Sequence, residues 1–333
     1  MVSNACRDLV VELLKLGSLC VVHHWDCDGI ASAALLGLFA KERGLDIEFR
    51  VPPIEVYDES IYNEIATRKS LLVLDYAVYP KFKALVIDHH RVEYEGNAIV
   101  CNPVAAGSTE DQYPSTTIVI KRHVLPEAPN DIVALGIVGD LGKSLETSPW
   151  KEFVFEAAKS ANLDFNEIVK AAELLNMCYT TLSRKLVSYA RDVLLREGVR
   201  GVIRDGKLDE VAKGVLRELD RVLKSVEPCL EDRHLVVYRI AMSYSLVSKV
   251  GRELAHRHPD KVVVVVGSVG RKIGRIYIRS ASKVLSPLIP KLRSLGVGKS
   301  VGGKDRVVSI LCNAVDCENE LPIVLKVVRE IVG

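Results

Sequence analysis

The sequence contains few aromatic residues, no long apolar run and no close cysteine pair. Phe, Trp and Tyr together make up 6% of the 333 residues, which disfavours an extended stacking surface for long nucleic acid strands. No apolar stretch approaches the roughly 20 residues that a membrane helix needs. The first 30 residues also lack the basic start and apolar centre of a signal peptide. We therefore expect a soluble, cytoplasmic protein.

The eight cysteines are scattered through apolar and mixed segments. Zinc sites and redox motifs use close pairs of cysteines, and such pairs are missing from the sequence. Most of the cysteines are therefore expected to be reduced and buried. They are Cys6, Cys20, Cys27, Cys101, Cys178, Cys229, Cys312 and Cys317.

A chain of 333 residues exceeds what one hydrophobic core usually organises, so two domains are expected. In the first half, strand-like and helix-like stretches alternate in the manner of a parallel α/β sheet. Helical periodicity dominates residues 150–225, and strands and helices alternate again from His234. We predict an α/β fold with a first domain over residues 1–190, a helical connector over 191–228 and a smaller α/β domain over 229–333.

The apolar patterns also predict individual elements. In the first domain, strands are predicted at residues 18–23, 46–50, 70–75, 83–88 and 97–101, and helices at 4–16, 29–43, 58–67, 115–123 and 130–140. In the last domain, strands are predicted at 234–241, 261–267, 273–280 and 306–312, and helices at 243–257, 283–295 and 319–332.

Positive charge is concentrated in one segment. Residues 271–306 contain ten basic side chains and one acidic side chain, a net charge of +9, whereas the whole chain carries +2. Such asymmetry indicates an anionic ligand bound by the C-terminal domain. A solvated basic face is the alternative interpretation.

Acidic and histidine side chains follow apolar runs at several places in the first domain. They are His24, Asp26, Asp28, Asp75, Asp88, His89, His90 and Asp140. In an open α/β sheet the carboxyl ends of the strands form the ligand crevice, so residues distant in sequence can meet there. A single Asp after a strand is commonly a turn or helix cap. A crowd of five acids and three histidines instead requires compensating cations.

Carboxylate oxygens with one or two imidazoles suit Mn²⁺, Mg²⁺ or Co²⁺, whereas structural zinc sites are rich in sulfur ligands. Two such ions, roughly 3.5 to 4 Å apart and bridged by a carboxylate, can activate hydroxide and clamp a phosphoryl group. The sequence therefore predicts a dinuclear site for phosphoester hydrolysis.

These motifs resemble those of the DHH phosphoesterase superfamily, which includes RecJ-type exonucleases, oligoribonucleases, cyclic-dinucleotide phosphodiesterases and family II pyrophosphatases. The resemblance covers essentially the whole chain. Its first motif, H-x-D-x-D-G, matches residues 24–29, and its third matches Asp88-His89-His90. Asp75 and Asp140 match the second and fourth motifs, and Asn102-Pro103 and Ser115-Thr116 lie between the third and the fourth.

The resemblance implies the ligands of two metal ions, most readily Mn²⁺, with Mg²⁺ or Co²⁺ as alternatives. One ion would bind His24, Asp26 and Asp75, and the other Asp28, Asp75, His89 and Asp140. Asp75 would bridge the two ions. His90 would be catalytic and face the phosphate, and Asp88 would orient its neighbours. Cys27 stands where relatives often carry proline and is interpreted as a packing residue.

The last domain resembles the substrate-binding domain that accompanies DHH domains. Relatives often carry Gly-Gly-His there, whereas this chain has Gly302-Gly303-Lys304. A lysine binds phosphate as a point charge but cannot replace the acid-base role of histidine. Arg279 is a further candidate phosphate ligand, because its planar fork suits bidentate contact. A solvent-facing strand position for Arg279, and a plain turn at the glycine pair, are the alternative interpretations.

The leading functional prediction is a metal-dependent phosphodiesterase that hydrolyses single-stranded nucleic acid or short oligonucleotides through a hydroxide activated by two metals. One alternative is a phosphatase or phosphodiesterase for mononucleotides, cyclic dinucleotides, pyrophosphate or polyphosphate. Another is a weakly active scaffold of a replication or repair assembly. The sequence leaves a homodimer or a replication or repair partner open.

Overall fold

The structure is a computed structural model that describes residues 2–55, 57, 59, 61–64, 70–269 and 273–332. The chain packs into two units, Met1–Ala212 and Lys213–Gly333. The division between them falls within the segment over residues 191–228. None of the helices in the described ranges is long and apolar enough to cross a bilayer.

The first unit contains five strands and eight α-helices within the described residues. The strands are β1 (Ser18–His23), β2 (Asp46–Arg50), β3 (Ser70–Leu74), β4 (Leu85–Ile87) and β5 (Ile99–Cys101). The helices are α1 (Val2–Leu13), α2 (Cys27–Arg43), α3 (Ile61–Glu64), α4 (Thr116–His123), α5 (Asn130–Leu141), α6 (Trp150–Ser160), α7 (Phe165–Cys178) and α8 (Arg184–Arg204). Short 3-10 helices occupy Gly142–Thr147 and Tyr179–Thr181.

All five strands of the first unit are parallel, in the order β2-β1-β3-β4-β5. Strands β1, β3 and β4 are almost entirely buried, which explains why they read as continuous apolar runs rather than alternating patterns. The predicted parallel α/β fold is confirmed. Of the helix predicted over residues 58–67, Ile61–Glu64 is helical, and residues 58, 60 and 65–67 lie outside the described ranges.

Helix α2 begins two residues earlier than the apolar pattern predicts. Asp26 is its N-cap, and its carboxylate accepts a hydrogen bond from Gly29 N–H. The helix ends at Gly44, which has a left-handed φ of 64° that glycine adopts without a steric cost. Nearly every side chain of α2 is buried, because the helix packs against the sheet and against α5, α7 and α8.

The second unit contains a mixed sheet. Its strands are β6 (Pro228–Glu231), β7 (Leu235–Met242), β8 (Val262–Val269), β9 (Ile273–Ser280), β10 (Ser300–Lys304) and β11 (Val307–Cys312). The helices are α9 (Gly206–Ser225), which spans the division, α10 (Val247–Arg257), α11 (Leu288–Ser294) and α12 (Ala314–Val332). The strand order is β10-β11-β9-β8-β7-β6. Among the described strands of this unit, β7 and β8 pair in parallel and the other neighbours are antiparallel.

The sequence did not predict β6 or β10. Strand β6 is exposed at every position, so it has no buried face to produce an alternating pattern. Strand β10 contains Gly302 and Gly303, which usually indicate a turn. The turn instead lies at residues 305–306, and both glycines pair with β11. The plain-turn interpretation of the glycine pair is therefore wrong.

The expectation that most cysteines are reduced is also wrong. Cys6 and Cys101 form a disulfide between α1 and the end of β5, and Cys312 and Cys317 form another. The cysteines of the first pair are 95 residues apart in sequence, so only the folded packing of α1 against β5 brings them together. The remaining four cysteines are free.

Candidate metal centre

Three of the motifs begin with a hydrogen bond that extends the sheet by one residue. The N–H groups of His24, Asp75 and Asp88 donate to the last carbonyls of β3, β4 and β5, at 3.1, 3.0 and 3.2 Å. Each of these residues is thus fixed to the neighbouring strand at the point where its own strand ends. The carboxyl edge of the sheet therefore determines where these side chains lie.

The first cluster contains His24, Asp26 and Asp75. His24 Nδ1 lies 2.7 Å from Asp26 Oδ2 and 3.9 Å from Asp75 Oδ2. Two atoms that each lie about 2.1 Å from one ion can be separated by up to about 4.2 Å. The spacing therefore allows the three side chains to share one ion, and they form one candidate ligand group.

The second cluster contains Asp28, His89 and Asp140. His89 Nε2 lies 3.1 Å from Asp140 Oδ2 and 3.9 Å from Asp28 Oδ2. Asp75 connects the two clusters, because its Oδ1 is 3.5 Å from His89 Nε2 whereas its Oδ2 faces His24. The two oxygens of one carboxylate thus face different groups, as a bridging ligand requires.

The backbone of Asp75 adopts an uncommon conformation. Its φ is 55°, in the left-handed region that non-glycine residues rarely occupy. Such conformations cluster at functional sites, where the surroundings enforce them. Here the enforcing contacts are the hydrogen bond from Asp75 N–H to β4 and a hydrogen bond at 3.0 Å from Thr116 Oγ1 to Asp75 Oδ1.

Asp28 is held by the N-terminus of α4. Its two carboxylate oxygens accept hydrogen bonds from the backbone N–H groups of Thr116 and Thr117, at 2.6 and 3.1 Å. Ser115 caps the same helix. The unpaired amides at a helix N-terminus favour a carboxylate, so the Ser-Thr-Thr sequence orients a fully buried acid.

Glycines allow α5 to approach this carboxylate. A Cβ atom on Gly136 would lie 2.2 Å from both Asp28 Oδ1 and Thr117 Oγ1, and one on Gly139 would lie 2.7 Å from the Cβ of Cys27. The close packing of α5 on α2 places Asp140, at the end of α5, beside His89.

Each of the two histidines has a partner on its second ring nitrogen. His24 Nε2 lies 3.1 Å from the Tyr57 hydroxyl, and His89 Nδ1 lies 3.3 Å from the Tyr113 carbonyl. A carbonyl can only accept, so it requires Nδ1–H on His89, and Nε2 is the nitrogen that can give up its proton to a cation. Such contacts fix the tautomer and the orientation of metal-binding imidazoles.

His90 forms a third candidate ligand group with Asp75 and His89, with its Nδ1 3.8 Å from Asp75 Oδ1, but its shorter contact is with Asp88. Its Nδ1 lies 2.8 Å from Asp88 Oδ1, and the other oxygen of Asp88 accepts a hydrogen bond from the Tyr79 hydroxyl. Asn102 donates to both Tyr79 Oη and the His90 carbonyl. His90 is also the most exposed of the three histidines, at 41% of its side chain. Asp88 thus orients a side chain that reaches solvent.

The electrostatics of the cluster favour added positive charge. Burial, together with the nearby charge of Asp140, raises the pKa of Asp28 to about 7. Burial and the charge of Asp28 raise the pKa of Asp75 well above its usual range. Burial opposes a charge on His89, but its contacts with Asp140 and Asp28 outweigh that effect and raise its pKa. The cluster therefore holds protons unless a cation replaces them.

Three buried polar atoms provide a test of whether divalent cations fit. Among the described residues, His24 Nδ1, Asp75 Oδ2 and His89 Nε2 have no hydrogen-bond partner. The close approaches of Asp26 to His24 and of Asp140 to His89 do not have hydrogen-bond geometry. Buried polar atoms are rarely left unpaired, and these three are an oxygen and two imidazole nitrogens, donors that suit Mn²⁺, Mg²⁺ or Co²⁺. The donor set fits such ions.

Sequence reasoning missed several residues that support this cluster. Asn176 of α7 accepts a hydrogen bond from Cys27 N–H and donates to the Gly139 carbonyl, so it ties the start of α2 to the end of α5. Cys27 is buried, and burial raises the pKa of its thiol well above the usual range, in agreement with a packing role. Asn176, Tyr57 and Tyr79 lie in segments without any local motif, and only the fold brings them to the centre.

The four predicted substrate-binding residues lie in the second unit, on β9 and β10, which are separated by β11. Arg279 pairs with Val307, which in turn pairs with Lys304, so the three side chains share one sheet face. Arg279 and Lys304 are thus about 10 Å apart across two strand spacings. Helices α11 and α12 pack on the opposite face. Arg279 also donates to the Tyr277 hydroxyl at 3.1 Å, so it is not a purely solvent-facing residue.

Comparison with solved structures shows which fold these two units form. The chain is similar to an exonuclease RecJ solved with bound manganese, at a TM-score of 0.66 and 17% identity, with 98% of this chain and 93% of that chain covered. It is also similar to the DHH domain of a protein described as a member of a ribosomal protein family, at a TM-score of 0.65 and 15% identity, covering 99% and 89% of the two chains.

A third similar structure is CDC45 from Entamoeba histolytica, at a TM-score of 0.57 and 11% identity, with 98% of this chain and 99% of that chain covered. No protein-family model matches the sequence, and no curated protein matches it. The fold and the cluster define a two-unit α/β protein with a His and Asp centre at the carboxyl edge of its first sheet. The fold is the one that the RecJ and DHH-domain structures share, in agreement with the fold that the sequence motifs imply.

Proposed function

We propose that the chain is a metal-dependent phosphoesterase that hydrolyses phosphodiester bonds in single-stranded nucleic acid or short oligonucleotides. The observation that carries the proposal is the set of three buried, unpartnered donor atoms on His24, Asp75 and His89. They lie within a cluster of carboxylates whose charge requires compensation. The RecJ structure that shares the fold contains manganese, which supports the same type of cofactor here.

In this proposal two divalent ions bind at the centre, Mn²⁺ being the best fit and Mg²⁺ or Co²⁺ the alternatives. His24, Asp26 and Asp75 would hold one ion, and Asp28, Asp75, His89 and Asp140 would hold the other. Bound ions of this type supply Lewis acidity that lowers the pKa of water and offsets the charge of a phosphoryl group.

The residues of the chain have distinct roles around that chemistry. Thr116 and Thr117 keep Asp28 oriented, and the Tyr113 carbonyl holds Nδ1 of His89, so that Nε2 is the nitrogen available to a metal ion. Burial opposes a charge on His90, but the contact of its Nδ1 with Asp88 raises the pKa of His90, so the imidazolium form can donate from its second nitrogen to the phosphoryl oxygen or the leaving oxygen. His90 is therefore the proposed catalytic residue, and Asp88 orients it.

The sheet face with Arg279 and Lys304 is proposed to bind further phosphates of the substrate. Arg279 offers a planar fork and Lys304 an exposed point charge. Gly302, two residues before Lys304 on β10, leaves backbone accessible, since no atom lies within 4 Å of a Cβ built there. Phosphate contacts of this kind hold a strand without reading its sequence.

The experiment is a substrate panel incubated with purified protein and Mn²⁺. Release of mononucleotides from a short RNA or DNA, and its loss in Asp75→Asn, is expected. Hydrolysis of only a cyclic dinucleotide, pyrophosphate or polyphosphate would instead identify a small-molecule enzyme.

A scaffold of a replication or repair assembly is the second candidate, which the likeness to CDC45 favours. Lysine at position 304, where relatives of the resembled family carry histidine, is consistent with low activity. Tight metal binding without hydrolysis of any member of the panel would support the scaffold and overturn the proposed hydrolase.

A further inference from the structure

Three aromatic side chains form a cluster against the metal centre. The rings of Tyr57 and Tyr76 are stacked, with centroids 5.7 Å apart and planes 13° apart. The ring of Trp25 lies 5.2 Å from that of Tyr57 and 5.9 Å from that of Tyr76. We name Trp25, Tyr57 and Tyr76 the aromatic cluster. The low aromatic content of the sequence gives no indication of it, because the three residues come from three separate segments.

The members of the aromatic cluster differ in exposure. Trp25 is 3% exposed and Tyr76 is fully buried, whereas Tyr57 is 54% exposed. The two buried rings pack against Tyr57, so the exposed part of its side chain is held in a defined orientation. Keeping an ordered aromatic ring exposed does not contribute hydrophobic stabilisation to the fold.

Tyr57 also touches the metal centre directly. Its hydroxyl lies 3.1 Å from Nε2 of His24, whose other nitrogen faces Asp26 and Asp75. The exposed ring is therefore next to the place where the proposed function puts the scissile phosphate. In a nucleotide a flat aromatic base is joined to the phosphate through one sugar, whereas pyrophosphate and polyphosphate have no such group.

We propose that Tyr57 is a stacking platform for a base of the substrate, and that it makes the centre selective for nucleotides over phosphates that carry no base, such as pyrophosphate and polyphosphate. This inference rests on the proposed function and names its substrate class. Stacking on an aromatic side chain accepts every base, because each base has a π-face. The selectivity is thus for the presence of a base rather than for its identity.

A purely structural role for Tyr57 is the competing explanation, because its hydroxyl also orients His24. Two substitutions separate the roles. Tyr57→Phe keeps the ring and removes the hydroxyl, so it should weaken Mn²⁺ binding by about 10- to 100-fold, the range for outer partners of metal ligands. Tyr57→Leu removes the ring as well, so it should also remove the stacking.

The experiment measures equilibrium binding of AMP and of ribose 5-phosphate at saturating Mn²⁺, by calorimetry. Wild type and Tyr57→Phe should bind AMP more tightly than ribose 5-phosphate, by about 5- to 150-fold for one base stack. Tyr57→Leu should bind both ligands equally. Phe155→Leu is the matched control, because Phe155 is 51% exposed on α6 and should leave the preference unchanged.

A preference for AMP that survives in Tyr57→Leu, or that is missing from wild type, would overturn the platform. That result is distinguishable from failure of the proposed function. If no substrate is hydrolysed but the preference for AMP disappears in Tyr57→Leu, the proposed hydrolase function is refuted and the stacking role of Tyr57 is supported. If hydrolysis occurs but wild type shows no preference for AMP over ribose 5-phosphate, the hydrolase function is supported and the stacking role of Tyr57 is refuted.

Discussion

The backbone N–H of Thr116 donates to Asp28 Oδ2 at 2.6 Å, although 88 residues separate the two in sequence. The side chain of Thr116 donates in addition to Asp75. The start of one helix thus orients both Asp28, in the first turn of α2, and Asp75, directly after β3. This arrangement explains how the centre is fixed before any ion binds, because backbone amides restrain Asp28 and a side-chain hydroxyl restrains Asp75.

Asp75→Ala should remove both activity and most metal binding, because the two oxygens of Asp75 face different ligand groups. Metal content of the purified variant, measured by plasma mass spectrometry, should fall well below that of wild type. Two ions per chain in the variant would contradict the assignment of Asp75 as the bridge.

His90→Ala should keep its metal and lose turnover by about 10²- to 10³-fold, the scale for loss of one group that stabilises developing charge. His90 is hydrogen-bonded to Asp88 and lies outside the two proposed ligand sets. Single-turnover kinetics with parallel metal analysis checks both parts. If metal content falls with activity, the roles of His89 and His90 are interchanged.

Gly136→Ala should destabilise the protein and weaken metal binding, because the added Cβ would lie 2.2 Å from the carboxylate of Asp28. The cost should be in the range of overpacked cores, about 1 to 3 kcal/mol. Urea unfolding measures it. Gly17→Ala is the matched control, since a Cβ there meets nothing within 4 Å. Equal effects of the two substitutions would show that the close approach of α5 is unimportant.

Mn²⁺ should stabilise the protein more at pH 8 than at pH 6. Without metal, the raised pKa of Asp28, about 7, means that the folded state binds more protons than the unfolded state, so its stability falls as pH rises through 7. The lowered pKa of Asp88, about 2, acts only far below this window. Metal replaces the protons and removes the loss. Melting temperatures with and without Mn²⁺ at both pH values test this, and an equal shift at each pH would contradict it.

Arg279→Ala and Lys304→Ala should each raise KM for an oligonucleotide while hydrolysis of bis-p-nitrophenyl phosphate changes little. The small substrate has a single phosphate and no further ones for these side chains to bind, so it has no such binding energy to lose. Each substitution should also lower the salt dependence of binding by about 0.7 in log-log slope.

The control for this pair is Lys326→Ala, which removes the same charge from α12, the helix on the opposite face of the sheet. It should leave KM and the salt slope unchanged. If both Arg279→Ala and Lys304→Ala bind the oligonucleotide as wild type does, the basic face does not bind substrate and is a solvated surface.

The sequence predicted most of the first unit because the information is local there. Buried parallel strands read as apolar runs, and the polar residues that follow them mark the sheet edge, so residues such as Asp75 and His89 could be placed before the fold was known. Partners such as Tyr57 and Asn176 could not, because nothing in their own segments encodes the contact. Strand β10 was missed because its central residues, Gly302 and Gly303, have no side chains to form a pattern.

His24, Asp75 and Asp88 are hydrogen-bonded to the neighbouring strands. The pairing register of the strands, rather than the number of residues between the motifs, therefore determines where the ligands lie. A residue inserted between β3 and β4 could be absorbed by the loop. A residue inserted within β3 would turn Asp75 to the other side of the sheet and misplace the bridge. The centre should therefore tolerate extensive variation in loop length, and almost none in the lengths of the strands that end at it.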